Sequence, residues 1–201
     1  MTADARLVLA SASPRRLDLL RQIGLEPDAV CPAPLDEARR RDELPSDLAR
    51  RLAGGKTALA RERHADAYVL GADTVVAVGR RILPKPVDLA AARRCLELLS
   101  GRRHRVLTAI AVAPPGGEAR LRTVQTTVGF KRLDGGEVDW YLASGEWRGK
   151  AGGYAIQGRA GRFVRSLRGS YSNVVGLPLF ETANLLAGLG YPVNAMPGPD
   201  G

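Results

Sequence analysis

The chain has 201 residues, of which 45% are hydrophobic, 25% charged and only 5% aromatic. That is enough apolar material for one globular domain, two lobes on a shared core, and no apolar run reaches the roughly 18 residues of a membrane span. A formal net charge of +9, with a pI of about 10.2, points to an anionic partner, while the few aromatic side chains argue against base stacking on single-stranded nucleic acid.

In chain order, residues 6–10 read as a buried strand and 14–24 as a helix ending near Gly24. Residues 31–45, "CPAPLDEARRRDELP", are a charged loop with three prolines. Ser46 is expected to cap a long helix carrying Leu48, Leu52 and Leu59. "AYVLGADTVVAVGRRIL" reads as strands joined by a Gly-Arg turn. Asp88 caps the next helix, with Leu89, Ala92, Leu96 and Leu99 on one face and Gly101 at its end. "RVLTAIAVA" and "ARLRTVQTTVGFKRL" are long strands separated by the turn "PPGGE". A helix follows around 136–144, then the glycine-rich "GKAGGYAIQG", the strand "RFVRSL", the loop "GSYSN" and a last helix starting near Pro178. Mixed strands and helices without strict alternation define an α/β fold with a long, partly antiparallel sheet. Residues 1–190 are expected to form one domain and 191–201 a disordered tail.

Several familiar sites are excluded. "AGGKTA" at 53–58 is no P-loop: Arg50 stands where the pattern needs glycine, and the flanks are helical. Gly54 and Gly55 are then either a close approach of another backbone or a break beside Lys56. Cys31 and Cys95 form no paired motif, so neither a disulfide framework nor a zinc site is expected. His64 and His104 are too far apart for a helical zinc pair and read as structural. "MTADARLVLA" lacks the features of a signal peptide, so the expected location is cytoplasmic.

The chemistry-bearing residues fall into a few clusters. Ser11, Ser13, Arg15 and Arg16 gather where the first strand turns into the first helix. A helix N-terminus favours a phosphate, and hydroxyls and forked guanidinium groups add donors. Asp73 and Thr74 follow the apolar run Tyr68-Val69-Leu70; a carboxylate at a strand end can hold a divalent metal or take a proton from water. Asp36 and Glu37 offer further oxygen ligands. Of the 30 basic residues, only Lys56, Lys85, Lys131 and Lys150 are lysine. A chain that otherwise uses arginine keeps lysine where a compact ammonium is needed. Lys85 lies between two prolines, and Lys150 and Gln157 sit among glycines that let a ligand approach the backbone. Together these residues suit a polyphosphate with a divalent cation, and a glutamine amide suits the edge of a base.

At these positions the sequence resembles the Maf family of nucleoside triphosphate pyrophosphatases. "LASASPRRLDLL", "GADTVV" and "GKAGGYAIQGRAGRFVRSLRGSYSNVVGLPL" resemble its motifs, as do Lys85-Pro86 with Asp88, and "LSGRRHRVLT" at 99–108. The likeness runs from about residue 7 to residue 190. It implies a two-lobed Maf/ITPase-like fold with a cleft between the lobes, often as a homodimer. It implies hydrolysis of a nucleoside triphosphate to the monophosphate and pyrophosphate with Mg²⁺ or Mn²⁺. Carried over, Asp73 is the proton acceptor and a metal ligand with Glu37. Lys56 and Lys85 are catalytic, and Ser11, Arg15, Arg16, Thr74, Lys150 and Gln157 bind substrate. Arg15, Thr74 and Gln157 match the branch acting on dTTP and UTP, whereas a branch acting on 7-methyl-GTP tends to have tryptophan, glutamine and glutamate there. A second reading, of a different class, is a cell-division regulator that binds nucleotide or nucleic acid without turnover.

Overall fold

The computed structural model describes residues 5–194. It is a mixed α/β structure built on a seven-stranded sheet. The strands are β1 (Leu7–Ala10), β2 (Ala29–Val30), β3 (Tyr68–Val78), β4 (Arg81–Leu83), β5 (Arg103–Ala113), β6 (Arg120–Phe130) and β7 (Val164–Arg168). The sheet order is β2-β1-β3-β5-β6-β7, with β4 pairing β3. β1 is parallel to β2 and β3, and the remaining pairings are antiparallel. The expected long, partly antiparallel sheet is therefore present. Among the described residues no helix is long and apolar enough to cross a membrane.

Alternation along the long strands divides the core between two faces. Leu70, Ala72 and Val76 of β3 and Val106, Ile110 and Val112 of β5 point to one face. There they meet α1 (Pro14–Gln22), α3 (Leu89–Leu99), α4 (Gly135–Ala143) and α6 (Leu179–Gly188). Val75, Ala109 and Ala111 point to the other face, against Leu48, Ala49, Leu52 and Ala53 of α2 (Pro45–Arg61). Each buried leucine, isoleucine or valine contributes about 1.5–3 kcal/mol, so the period-2 pattern fixes both faces and the register.

On the α2 face the helix packs very closely on β3. A Cβ at Gly71 would lie 2.3 Å from Thr57 Oγ1 and 2.8 Å from the Ala53 carbonyl oxygen. Only glycine lets β3 and α2 approach this closely.

Three local expectations need correction. The α2 helix starts at Pro45, with Leu44 as N-cap and no side-chain cap bond, so Ser46 is not the cap. Proline is preorganised for the first helical turn and takes that place. The helix also runs unbroken through Gly54 and Gly55. A Cβ at Gly55 would lie 2.8 Å from Leu35 Cδ2, so this glycine makes room for a side chain from the proline-rich loop, not for another backbone. Finally, "GSYSN" is not all loop. Residues Tyr171–Val175 form the short helix α5, capped by the Ser170 side chain, which accepts from the Asn173 N–H. At the C-terminus, Tyr191 packs edge-on against Tyr68 with ring centroids 5.2 Å apart; residues 195–201 of the expected tail lie outside the described residues.

Candidate active site

The site arises where β3 changes partners. β1 pairs with residues 68–71 of β3, and β4 pairs with residues 76–78. Between them, residues 72–75 are held by β5 on one edge, and on the other edge no strand is paired among the described residues. Asp73 and Thr74 occupy this gap. As successive strand residues they project to opposite faces, Asp73 towards α2 and Thr74 towards α1 and α5. A cleft of about 360 Å³ opens at the gap, a volume suited to a small-molecule ligand. Arg15, Arg16, Lys56, Asp73, Thr74 and Lys85 line it, with Lys150 and Gln157 on the wall contributed by the glycine-rich segment.

On the α2 side, one ammonium ties three elements together. Lys56 Nζ donates to Asp73 Oδ1 at 2.7 Å and to Glu37 Oε1 at 2.5 Å. Lys85 Nζ donates to the other Glu37 oxygen at 2.7 Å. Lys56 and Asp73 are nearly buried, whereas Glu37 and Lys85 reach solvent. Burial raises the Glu37 carboxyl, but the hydrogen bonds from the two lysines outweigh it and bring it down to about 2. Glu37 is thus a carboxylate at any physiological pH. Asp36 does not join it: its carboxylate accepts from the Ala38 N–H in a local turn. The expectation that Asp36 joins Glu37 and Asp73 as an oxygen ligand is corrected, since no three such residues group to hold a metal among the described residues.

On the other side, Arg16 is part of the scaffold. Its Nε donates to the Gly176 carbonyl at 2.9 Å, Nη1 to Ser11 Oγ at 2.9 Å and Nη2 to Thr74 Oγ1 at 3.2 Å. Ser11 sits behind the cleft wall, where its oxygen accepts from Arg16 and from the Ser13 N–H. The Gly176 backbone has φ of 137°, and a Cβ there would lie 3.7 Å from Thr74 Oγ1. Glycine at that position therefore lets the carbonyl face Arg16.

Neither Arg15 nor Lys150 forms a salt bridge among the described residues. No hydrogen bond joins the Arg15 side chain to any described residue, and its buried Nε is unpaired. Lys150 Nζ donates only to the Arg148 carbonyl, at 3.3 Å. Burial lowers both groups, and the nearby Arg15 charge lowers Lys150 further while the Glu146 carboxylate partly offsets it. Two cations beside an open cleft favour an anion there. Lys131, the remaining lysine, pairs with Glu137 Oε1 at 2.5 Å, away from the cleft.

Two residues escaped the sequence reading. Tyr154 lines the cleft, and its hydroxyl is 2.7 Å from His104 Nε2. Thr108, wholly buried, bonds Thr74 from behind at 2.9 Å. The signal for Thr108 was available: a lone hydroxyl inside the apolar run "RVLTAIAVA" must find a partner inside the protein.

An α/β chain with clustered carboxylates, lysines and free cations at a sheet gap matches one family closely. The Maf-like protein family pattern covers residues 6–189, and the chain belongs to the Maf family. It is 63% identical over 196 residues to a dTTP/UTP pyrophosphatase of Maricaulis maris, covering 98% of this chain and 94% of that protein. A dTTP/UTP pyrophosphatase of Rhodospirillum rubrum is 62% identical, covering 97% of this chain and 91% of its own. One of Caulobacter vibrioides is 60% identical, covering 95% and 99%.

Proposed function

We propose that the chain hydrolyses dTTP and UTP to the nucleoside monophosphate and pyrophosphate. The observation that carries this reading is the shared cleft of two kinds of charge. Asp73 and Glu37 meet on Lys56, while Arg15 and Lys150 form no ion pair among the described residues. Identity of 62–63% to dTTP/UTP pyrophosphatases along 97–98% of the chain supports the substrate class.

In the reaction, the oxygen of a water molecule bonds to the α-phosphorus and the bond to the bridging α–β oxygen breaks. Asp73 takes a proton from that water; it is buried at the gap and its second oxygen accepts no hydrogen bond from the described residues. Negative charge grows on the departing pyrophosphate, and Lys85, Lys150 and Arg15 line the cleft to meet it. Lys56 holds Asp73 and Glu37 in place through its two hydrogen bonds. Arg16 holds Ser11, Thr74 and the Gly176 turn in register around the ligand.

The donor set fits a hard divalent cation, Mg²⁺ or Mn²⁺. Asp73 and Glu37 already present oxygens to one cationic point, the Lys56 ammonium. No group of three or more His, Cys, Asp or Glu is placed to hold a metal among the described residues. Two carboxylates with phosphate oxygens and water completing the shell is the usual arrangement for Mg²⁺. Such an ion would neutralise charge on the phosphate chain.

A regulator that binds nucleotide without turnover is less consistent with this site. A plain anion binder gains nothing from two carboxylates beside a phosphate, since they repel it. Pyrophosphate release from a panel of triphosphates, with and without Mg²⁺, tests the proposal; binding of dTTP and UTP without release would favour the regulator.

A further inference from the structure

The hydroxyl chain behind Thr74 has a direction. Thr108 lies opposite Thr74 in the β3–β5 register and is wholly buried. Its Oγ1 is 3.0 Å from the Asn173 carbonyl oxygen and 2.9 Å from Thr74 Oγ1. A carbonyl oxygen only accepts, so the single hydroxyl proton of Thr108 goes to Asn173. Thr108 must then accept from Thr74, and the single proton of Thr74 points inward. Arg16 Nη2, a donor only, bonds the same Thr74 oxygen at 3.2 Å. Donation therefore runs one way, from Arg16 to Thr74 to Thr108 to the Asn173 carbonyl.

The far end of the chain is anchored. Asn173 is wholly buried, and its Nδ2 donates to the Val106 carbonyl at 3.1 Å and to Thr126 Oγ1 at 2.9 Å. The α5 turn that carries the accepting carbonyl is therefore held against β5 and β6. One lone pair of Thr74 remains, and Thr74 lines the cleft. Val106, Val174 and Val175 line it too, and an apolar wall suits a base better than a phosphate.

We propose that Thr108 is a positioning residue that makes Thr74 an acceptor only towards the ligand, and that this fixed polarity selects pyrimidines carrying an N3–H over cytosine. The inference rests on the pyrimidine triphosphate reading above. The Gln157 amide can turn over and pair with either edge, so it discriminates weakly. A hydroxyl whose proton is held from behind cannot turn. Against cytosine, the Thr74 lone pair faces the bare N3 lone pair, and two acceptors are left unpaired.

Calorimetric binding of UMP and CMP to the full chain tests this without requiring turnover. The wild type binds UMP more tightly. Thr108→Val frees the Thr74 proton to turn towards cytosine N3, and the UMP-over-CMP ratio falls by about fivefold or more. Thr108→Ser keeps the hydroxyl and holds the ratio within about twofold of wild type. Equal weakening of both nucleotides by Thr108→Val, with the ratio unchanged, overturns the proposal, as does a wild type that does not prefer UMP. Should Thr108→Val not fold, Thr74→Val reads the same contact from the cleft side: it loses the preference, and retention of the preference overturns the proposal. A wild type that prefers UMP but releases no pyrophosphate from UTP removes the enzymatic reading and leaves this inference standing.

Discussion

Lys56 Nζ lies 2.5 Å from Glu37 Oε1 and 2.7 Å from Asp73 Oδ1, so one ammonium joins the proline-rich loop, α2 and the gap in β3. It places a cation between two carboxylates that would otherwise repel each other. Replacing Lys56 or Lys85 by alanine is expected to lower kcat, not merely raise KM, because Lys56 holds the proton acceptor Asp73 in place and Lys85 meets charge that grows as the bond breaks. Steady-state kinetics on UTP check this, and a change in KM alone would make these lysines attraction only. Lys131→Ala, whose partner is Glu137 outside the cleft, should leave both constants near wild type.

The adjacent arginines should separate by assay. Arg15→Ala removes an unpaired cation and is expected to lower kcat/KM by about ten- to a hundredfold with little change in Tm. Arg16→Ala strips partners from Gly176, Ser11 and Thr74 and should cost about 2–3 kcal/mol of stability as well as activity. Thermal melts beside kinetics decide it; equal melts for the two variants would remove Arg16 from the scaffold.

Stability should depend on pH through His104. Burial lowers this imidazole from its usual 6.5 to about 4. Between those values the unfolded chain takes up a proton that the native state refuses, so stability is full above 6.5 and falls as pH drops towards 4. The slope from this group is at most about 1.4 kcal/mol per pH unit. The Glu37 carboxyl, held at about 2, adds a second loss at lower pH, between its usual 4.5 and 2. Denaturant midpoints measured from pH 7 to 4 should fall in the wild type and fall less in His104→Gln; parallel curves would assign the loss elsewhere.

Base choice should respond to Gln157. Its amide can donate to a carbonyl of thymine or uracil beside the N3–H that faces Thr74. Gln157→Glu leaves a carboxylate facing a carbonyl and should reduce dTTP and UTP hydrolysis while sparing GTP. An unchanged dTTP-to-GTP ratio would show that the residue, which lines the cleft but stays exposed, does not read the base.

Much of this arrangement could be read from the chain. Period-2 runs gave the long strands, and isolated lysines and the Asp73-Thr74 pair marked the cleft. What stayed hidden was direction. Arg15 and Arg16 look alike in sequence, yet neighbours on a helix point about 100° apart. Arg16 stands three and four residues before the buried Leu19 and Leu20, so it shares their face and turns inward. Asp36 and Glu37 differ in the same way, one spent on its own turn and the other reaching two lysines. The polarity of the Thr74–Thr108 bond depends on a carbonyl 65 residues further along, which no local pattern supplies.

The most direct test is pyrophosphate release from UTP and dTTP with Mg²⁺ by the wild type and by Asp73→Asn. The wild type should release pyrophosphate and monophosphate in equal amounts, faster from these two than from purine triphosphates. Asp73→Asn, folded by its melt, should be slower by about 10²–10⁴-fold. A wild type that releases none, or an Asp73→Asn variant with near-normal turnover, would contradict the account.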